Sequence, residues 1–447
     1  MAGLPLTLAS SAQRPNILLV LTDDQRADAL GCAGNSILRT PNMDTLARTG
    51  VRFRQAFAAS PICAASRASV LTGLHERGHR YTFGTAPLAK DLVRASYPST
   101  MRRAGYRTGF VGKLGVDVGP GSAREMFDVF HHLEQPPYFR DVAGRRRHLS
   151  QIIADHAVDF LGTNPKGQPF CLSVSFSAPH AVDDDPRQFF WPESCDDLYR
   201  DAEIPVPGPE ADGIFRSQPD FVRNSLGRRR WAWRFDTPAR YREMVRGYYR
   251  MITGVDMELG RLLGELDRLR MRENTIVIFS SDNGYFLGER GLAGKWLLYE
   301  PSIRVPLIIS DPRLSPLSLG RVRDELALNV DIAPTILGLA GIAQEGGVHG
   351  RSLGPLLGTK AVPWREEVFL EHLYDHPEIP SSEGVRTSRW KYIRYRREPA
   401  WEELYDLERD PAEAVNLAGS GAEDERLARM RARCDHLSGD YGDLHSS

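Results

Sequence analysis

Short apolar runs that each end in a reactive polar residue recur along the chain. Ile17–Leu21 runs into Thr22-Asp23-Asp24, Thr108–Gly112 into Lys113, Phe170–Phe176 into Ser177-Ala178-Pro179-His180, and Thr275–Phe279 into Ser280-Ser281-Asp282-Asn283. Runs of this length bounded by turn residues predict buried parallel strands. Val305–Ile309 predicts a further strand, with its proline near the start, where a missing N–H costs least.

Helical patterns lie between these runs. Thr40-Pro41 and Thr237-Pro238 each predict an N-cap followed by proline at the first helical position. After the second, Met244, Tyr248, Met251, Val255, Leu259, Leu262, Leu266 and Leu269 recur every three or four residues as one apolar stripe. Strand and helix alternate, which predicts an α/β fold with helices on both faces of a mostly parallel central sheet. In such sheets ligands sit outside the carboxyl ends of the strands. Here those ends carry an Asp pair, a Lys, a His and an Asp-Asn pair.

Residues 14–350 are read as this α/β domain. Within it, 181–237 is rich in Pro, Asp, Arg and aromatics without a clear period and reads as a long insertion over the site mouth. From residue 365 to 447, alternating stretches such as Trp390–Tyr395 and a charged helix near 421–436 predict a small α+β C-terminal domain. Residues 1–13 read as the remnant of an export signal or a disordered tail. A periplasmic or secreted location is therefore expected, with the cytoplasm as the alternative.

Composition narrows the partners. The net charge of −1 argues against a polyanion-wrapping, nucleic-acid-binding protein. No apolar run approaches the roughly 20 residues that a membrane span needs. The five cysteines are widely spaced, odd in number and without a CxxC pair, so neither a thiolate zinc site nor a disulfide scaffold is indicated.

Asp23-Asp24 and Asp282-Asn283 are oxygen-rich pairs at two strand ends. Three carboxylates and an amide carbonyl make a cage for a hard cation, Ca²⁺ or Mg²⁺; either pair alone also reads as capping or turn chemistry. Cys63 opens a small-residue stretch that predicts a helix stopping at Gly73. Its position at a helix N-terminus near Arg67 predicts a positive potential and a lowered thiol pKa, against the reading of a small buried hydrophobe. Lys113, His180 and Lys295, if turned inward, are charge-matched donors for a tetrahedral oxyanion.

Together these segments resemble a type I sulfatase of the alkaline phosphatase superfamily. The resemblance is carried by RPNILLVLTDDQ (14–25), CAASRASVLTG (63–73), GYRTGFVGK (105–113), PFCLSVSFSAPH (169–180), FSSDNGYFLGERGLAGKWLLYEPSIRVPLII (279–309) and ELYDLERDPAEAVNLA (403–418). It implies a sulfuric ester hydrolase in which Cys63 is converted to Cα-formylglycine by a maturation enzyme. One hydroxyl of the hydrated aldehyde would attack the sulfate ester and form a covalent sulfo-enzyme, and the other would then expel sulfate. The resemblance makes Asp23, Asp24, Asp282, Asn283 and the modified Cys63 the metal ligands. It makes Arg67 the support of the aldehyde, Lys113 and Lys295 the sulfate-binding cations, and His180 a sulfate ligand or general acid.

Two departures stand out. The position two residues after Cys63 is Ala65 where the family usually has Pro, which leaves open which maturation enzyme acts, since the oxygen-dependent type prefers Pro and the radical type tolerates Ala. Gly112-Lys113 is followed by Leu114-Gly115 where the family often reads Trp-His, which shifts proton delivery onto His180. The expected substrate is a sulfated small molecule or glycan, most simply a sulfated carbohydrate. The rivals are a phosphonate or phosphate esterase of the same superfamily and a non-catalytic glycan-binding relative. Phe189, Phe190, Trp191, Trp231, Trp233 and Phe235 are either sugar-stacking rings or loop packing, and packing is the simpler reading. Arg145–Arg147 and Arg228–Arg230 either guide a polyanion or form solvated surface. His75, Glu76, His79 and Arg80 are further candidates for lining the pocket.

Overall fold

The computed structural model describes residues 14–344 and 346–442; the segment read as an export remnant or tail lies outside them. The apolar runs pair side by side into an eight-stranded sheet. Its order is Arg321–Arg323, Val51–Phe53, Leu307–Ser310, Thr275–Ser281, Asn16–Thr22, Phe170–Ser175, Arg107–Gly112 and Val129–His132. Five of the seven pairings are parallel, and the two antiparallel ones both involve Leu307–Ser310. That strand begins later than the apolar run Val305–Ile309. Val305 gives its N–H to Ala56 O instead, and Pro306 has none to give to a ladder.

Both faces of the sheet are buried, which explains why the strands read as continuous apolar runs. Ile17 and Leu19 face one core with Ile276 and Ile278, while Leu18 and Val20 face the other with Val277 and Phe279. Each such side chain, fully buried, contributes about 1.5–3 kcal/mol. The first core is closed by Cys63–Thr72, Tyr97–Arg103 and Ile332–Leu339, and the second by Leu149–Gly162 and the long helix Pro238–Arg268.

Thr237 caps that long helix through the Arg240 N–H, and the apolar stripe from Met244 to Leu266 is buried. Leu269 falls just past the helix end and is half-buried. Thr40 does precede a helix with proline at its first position, but its Oγ1 accepts the Gly31 N–H at 2.9 Å and so caps nothing in its own helix.

The strands Glu367–His372, Ser382–Thr387, Trp390–Tyr395 and Glu402–Asp406 form a separate antiparallel sheet. Trp390 and Tyr392 pack with Met430 and Cys434 of the helix Asp424–Asp440, whereas Ile393 and Tyr395 pack against Phe57, Ala59 and Tyr299 of the large body. Lys391, on the body-facing side, is fully buried and lies 2.7 Å from both Glu300 and Glu413.

Residues 181–237 are not a featureless loop; they contain the helices Pro209–Ser217, Asp220–Arg223 and Leu226–Arg234. Phe189 and Phe235 are buried there, Phe190, Trp191 and Trp231 pack on the same core, and Trp233 is exposed. All five cysteines are unbridged.

Candidate active site

Register places the reactive residues together. Gly112 pairs with Ser175, Ser175 with Leu21, and Leu21 with Ser280. Four strands thus end at one level, with neighbours about 4.8 Å apart. The residues that follow them, Lys113, Ser177–His180, Asp23-Asp24 and Asp282-Asn283, emerge on one edge. Asp24 holds a left-handed backbone with φ 69°, as does Trp296, beside Lys295, with φ 83°. For a bulky residue such as Trp that conformation is an outlier, and outliers of this kind gather at functional sites.

Cys63 is the first residue of a ten-residue helix that is buried throughout and ends at Gly73. Small residues permit this burial. Ala64 and Ala68 face the sheet core, while Ala65 meets Ile62 and Trp296. Ser66 Oγ donates to the Asp282 carbonyl and accepts from Asn329 Nδ2. One turn into the helix, Arg67 spans the site. Its Nε donates to Asp282 Oδ2 at 2.8 Å, and its Nη1 donates to Lys113 O at 2.7 Å and Ser175 Oγ at 2.6 Å. Its Nη2 lies 3.3 Å from Asp23 Oδ2. Gly115 makes room for it, since a Cβ there would stand 2.6 Å from Arg67 Cδ. The Leu114-Gly115 that replaces the expected Trp-His is thus a buried Leu and a glycine packed on Arg67.

The cations converge on the acidic pair. Lys113 Nζ is 2.6 Å from Asp23 Oδ2, and Lys295 Nζ is 2.5 Å from Asp24 Oδ1. Asn283 Nδ2 donates to the same Asp24 oxygen at 2.6 Å. His180 Nε2 lies 3.8 Å from Asp24 Oδ2. Its Nδ1 is 2.6 Å from Ala181 O, an acceptor only, so that contact puts the proton on Nδ1 and turns the Nε2 lone pair towards the acids.

The protonation pattern follows from burial set against charge. Burial opposes ionisation of Asp23, but Lys113, His180, Lys295 and Arg67 outweigh it and hold the carboxyl well below its usual range. Asp282, buried beside Asp23, is pushed up to about 6. Burial also disfavours charge on Lys113 and Lys295, yet Asp23 and Asp24 respectively raise both above the ordinary lysine value. Burial lowers the His180 pKa despite Asp24 and Asp23, so the ring is neutral at pH 7. The Cys63 thiol is raised, not lowered as its place at a helix N-terminus predicts. Burial wins over Lys295 and Lys113, and Arg67 is committed to the carboxylates.

The donor set fits a hard cation. Both Asp23 carboxylate oxygens and Asn283 Oδ1 are buried without a directed hydrogen-bond donor, although cations stand close by. One ligand atom each from Asp23, Asp24 and His180 lies within 4.8 Å of the others. Asn283 Oδ1 buried this way costs about 1–3 kcal/mol unless a donor or cation completes it, whereas Asp23 already pairs with Lys113 and Arg67.

The nine residues that the resemblance assigns to metal, nucleophile and sulfate therefore meet in one place. His75, Glu76 and His79 do not join them. His75 Nε2 lies 3.2 Å from Phe369 O, Glu76 accepts from Leu373 N, and His79 Nε2 lies 3.1 Å from Ser69 Oγ; Arg80 is exposed. Sequence reasoning missed Ser175, Asn329 and Gln135, whose Nε2 lies 3.0 Å from His180 Nδ1. Ser175 alone left a signal, as the strand-end residue level with Gly112.

The sulfatase family model matches residues 15–342. The chain belongs to the sulfatase family. A model of the N-sulphoglucosamine sulphohydrolase C-terminal region matches residues 288–440 of this sulfatase, which includes the antiparallel sheet. It is 30% identical to an arylsulfatase of Clostridium perfringens over 94% of this chain and 93% of that protein. It is 26% identical to an N-acetylglucosamine-6-O-sulfatase of Bacteroides thetaiotaomicron over 98% and 90% of the two chains. A solved structure in complex with its substrate D-glucosamine-2-N,6-O-disulfate superposes with a TM-score of 0.81 at 25% identity, covering 96% of this chain and 98% of the other. No helix among the described residues of this sulfatase is long and apolar enough to cross a membrane.

Proposed function

We propose that this sulfatase releases sulfate from a sulfated carbohydrate, using a Cα-formylglycine made from Cys63 and a bound divalent cation, Ca²⁺ in preference to Mg²⁺. The observation that carries the reading is the set of undonated oxygens on Asp23 and Asn283 beside the buried head of the Cys63 helix. The sugar assignment draws support from the relatives named for glucosamine sulfates.

Asp23, Asp24, Asp282 and Asn283 would hold the cation, which when bound supplies Lewis-acid polarisation of a sulfate oxygen and a template for its orientation. The hydrated aldehyde supplies an oxygen nucleophile at position 63. The rest falls to side chains already fixed. Arg67, clamped by Asp282 and Ser175, orients residue 63 one helical turn away. Lys113 and Lys295 stay protonated and offset the charge of the sulfate oxygens in a water-poor site. One of these lysines passes a proton to the leaving alcohol, and His180, neutral with its Nε2 lone pair turned into the site, accepts a hydrogen bond there. Cys63, Arg67 and Lys295 are each at most 4% exposed, so substrate binding displaces little bulk water.

The maturation partner we assign is a radical-type enzyme, because Ala65 stands where the oxygen-dependent type favours proline. The test is mass spectrometry of the tryptic peptide Gln55–Arg67 from chain co-expressed with such a maturase. It is run beside sulfate release from 4-nitrophenyl sulfate and sulfated hexosamines, with an aryl phosphonate ester as the competing arm. The aldehyde form, chelator-sensitive sulfate release restored by Ca²⁺, and weak phosphonate turnover are expected. An unmodified thiol in fully active protein would overturn the mechanism, and preferred phosphonate turnover would overturn the substrate class.

A further inference from the structure

The triplet Arg228–Arg230 sits on the helix Leu226–Arg234, and its members part ways. Arg228 lies over the rings of Phe215 and Trp231, and Arg229 pairs with Glu378 at the surface. Arg230 turns inward and lies over the Trp296 ring at 4.5 Å, next to Lys295. With Arg234 it shares a single carboxylate. Arg230 Nη2 contacts one oxygen of Asp183, and Arg234 Nη2 contacts the other. Asp183 follows His180 by three residues, so both partners of the cluster are anchored beside site residues.

This cluster is incompletely satisfied. Arg234 is fully buried, yet its Nε and Nη1 meet no acceptor among the described residues, and neither does Arg230 Nε. The Tyr285 hydroxyl beside them, on a side chain 1% exposed, is likewise unpartnered. Two guanidinium groups against one carboxylate leave one positive charge, and a buried charge without its counter-ion costs several kcal/mol. Asp183 is 24% exposed and Arg230 14%, so the cluster is not sealed in the core, and Arg230 borders the site through Trp296, next to Lys295.

We propose that Arg230, backed by Arg234 and Tyr285, forms a second anion subsite that takes a sulfate or carboxylate group on the substrate other than the one being cleaved. Arg suits the task because its planar fork matches both groups in bidentate fashion. The inference rests on the sulfatase reading above and narrows it to substrates carrying at least two anionic groups. By contrast, the other basic run stays on the surface, where Arg146 covers Phe139 and Arg147 pairs with Asp155.

The experiment compares N-acetylglucosamine 6-O-sulfate, with one anionic group, against two doubly charged probes. These are glucosamine N,6-O-disulfate and a 6-O-sulfated glucosamine linked to a uronate. Wild-type enzyme is expected to favour at least one doubly charged probe by about tenfold or more in kcat/KM, mainly through KM, which corresponds to about 1.4 kcal/mol. Arg230→Gln should erase that preference, and Arg230→Lys should keep part of it. Calorimetric titration of the full chain carrying Cys63→Ser reads the same preference as a ratio of Kd values without turnover, and unfolding midpoints check that each variant is folded. No preference in wild type, or equal losses on singly and doubly charged probes in folded Arg230→Gln, overturns the subsite. Absence of any sulfate release, including from 4-nitrophenyl sulfate, overturns the sulfatase reading instead and leaves the binding ratio to decide the subsite.

Discussion

Replacing Glu76 by Gln probes the joint between the large body and the C-terminal sheet. Glu76 is 2% exposed, accepts the Leu373 N–H through Oε2, and leaves Oε1 without a directed partner. Burial, and then the Glu371 carboxylate, push its carboxyl from 4.5 up to about 8. A raised carboxyl pKa in the folded state means that folding takes up a proton. The associated stability is complete below about pH 4.5 and is lost as pH rises through about 8. At about 1.4 kcal/mol per pH unit the total loss is capped at about 5 kcal/mol, of which roughly 2–3 falls between about pH 6 and pH 9.

Gln has the same shape and no charge, and its amide faces the buried hydroxyls of Ser60 and Thr82, which stand beside Glu76. Burial pulls His75 well down and His349 to about 4, so neither titrates in this window, and Glu371, which burial raises despite Arg77 at 2.6 Å, is common to both proteins. Guanidinium unfolding followed by tryptophan fluorescence is therefore expected to show the Glu76→Gln advantage growing by about 2–3 kcal/mol from about pH 6 to pH 9. A difference between the two proteins that stays constant across that range would refute the reasoning.

Two further substitutions bear on other parts of the molecule. Lys391→Met should destabilise by about 3–5 kcal/mol, because Glu300 and Glu413 are left buried and facing each other; adding Glu413→Gln should recover part of the loss in the same denaturant assay. Gly115→Ala places a methyl group 2.6 Å from Arg67 Cδ at a φ of +66°. It should cost about 1–3 kcal/mol in stability and lower kcat/KM on 4-nitrophenyl sulfate about tenfold or more, without loss of metal content.

The sheet was legible because buried parallel strands leave an unambiguous mark, apolar runs that break off at polar residues. The site was legible for a related reason. Asp23, Lys113, His180 and Asp282 each lie within four residues of the end of such a run, so finding the strands found them. What escaped depends on contacts far apart in sequence. Gln135 reaches His180 across 45 residues and Asn329 reaches Ser66 across 263, with nothing local to announce either. The sense of Leu307–Ser310 was hidden because an apolar run reads the same in both directions. The direction of the Cys63 shift was misjudged because a helix N-terminus is visible in sequence, whereas the depth of its burial is not.

The C-terminal strand has a consequence for the order of events during synthesis. Glu371 N–H reaches Ala59 O at 2.8 Å, and Phe369 O meets the His75 ring. The last-made sheet thus lies across the early segment that flanks Cys63. Because Cys63 is 4% exposed in the finished fold, the maturation enzyme proposed above would have to meet it before residues 367–440 fold and dock. Under that reading, the order of synthesis, with this sheet made last, would set the length of the window.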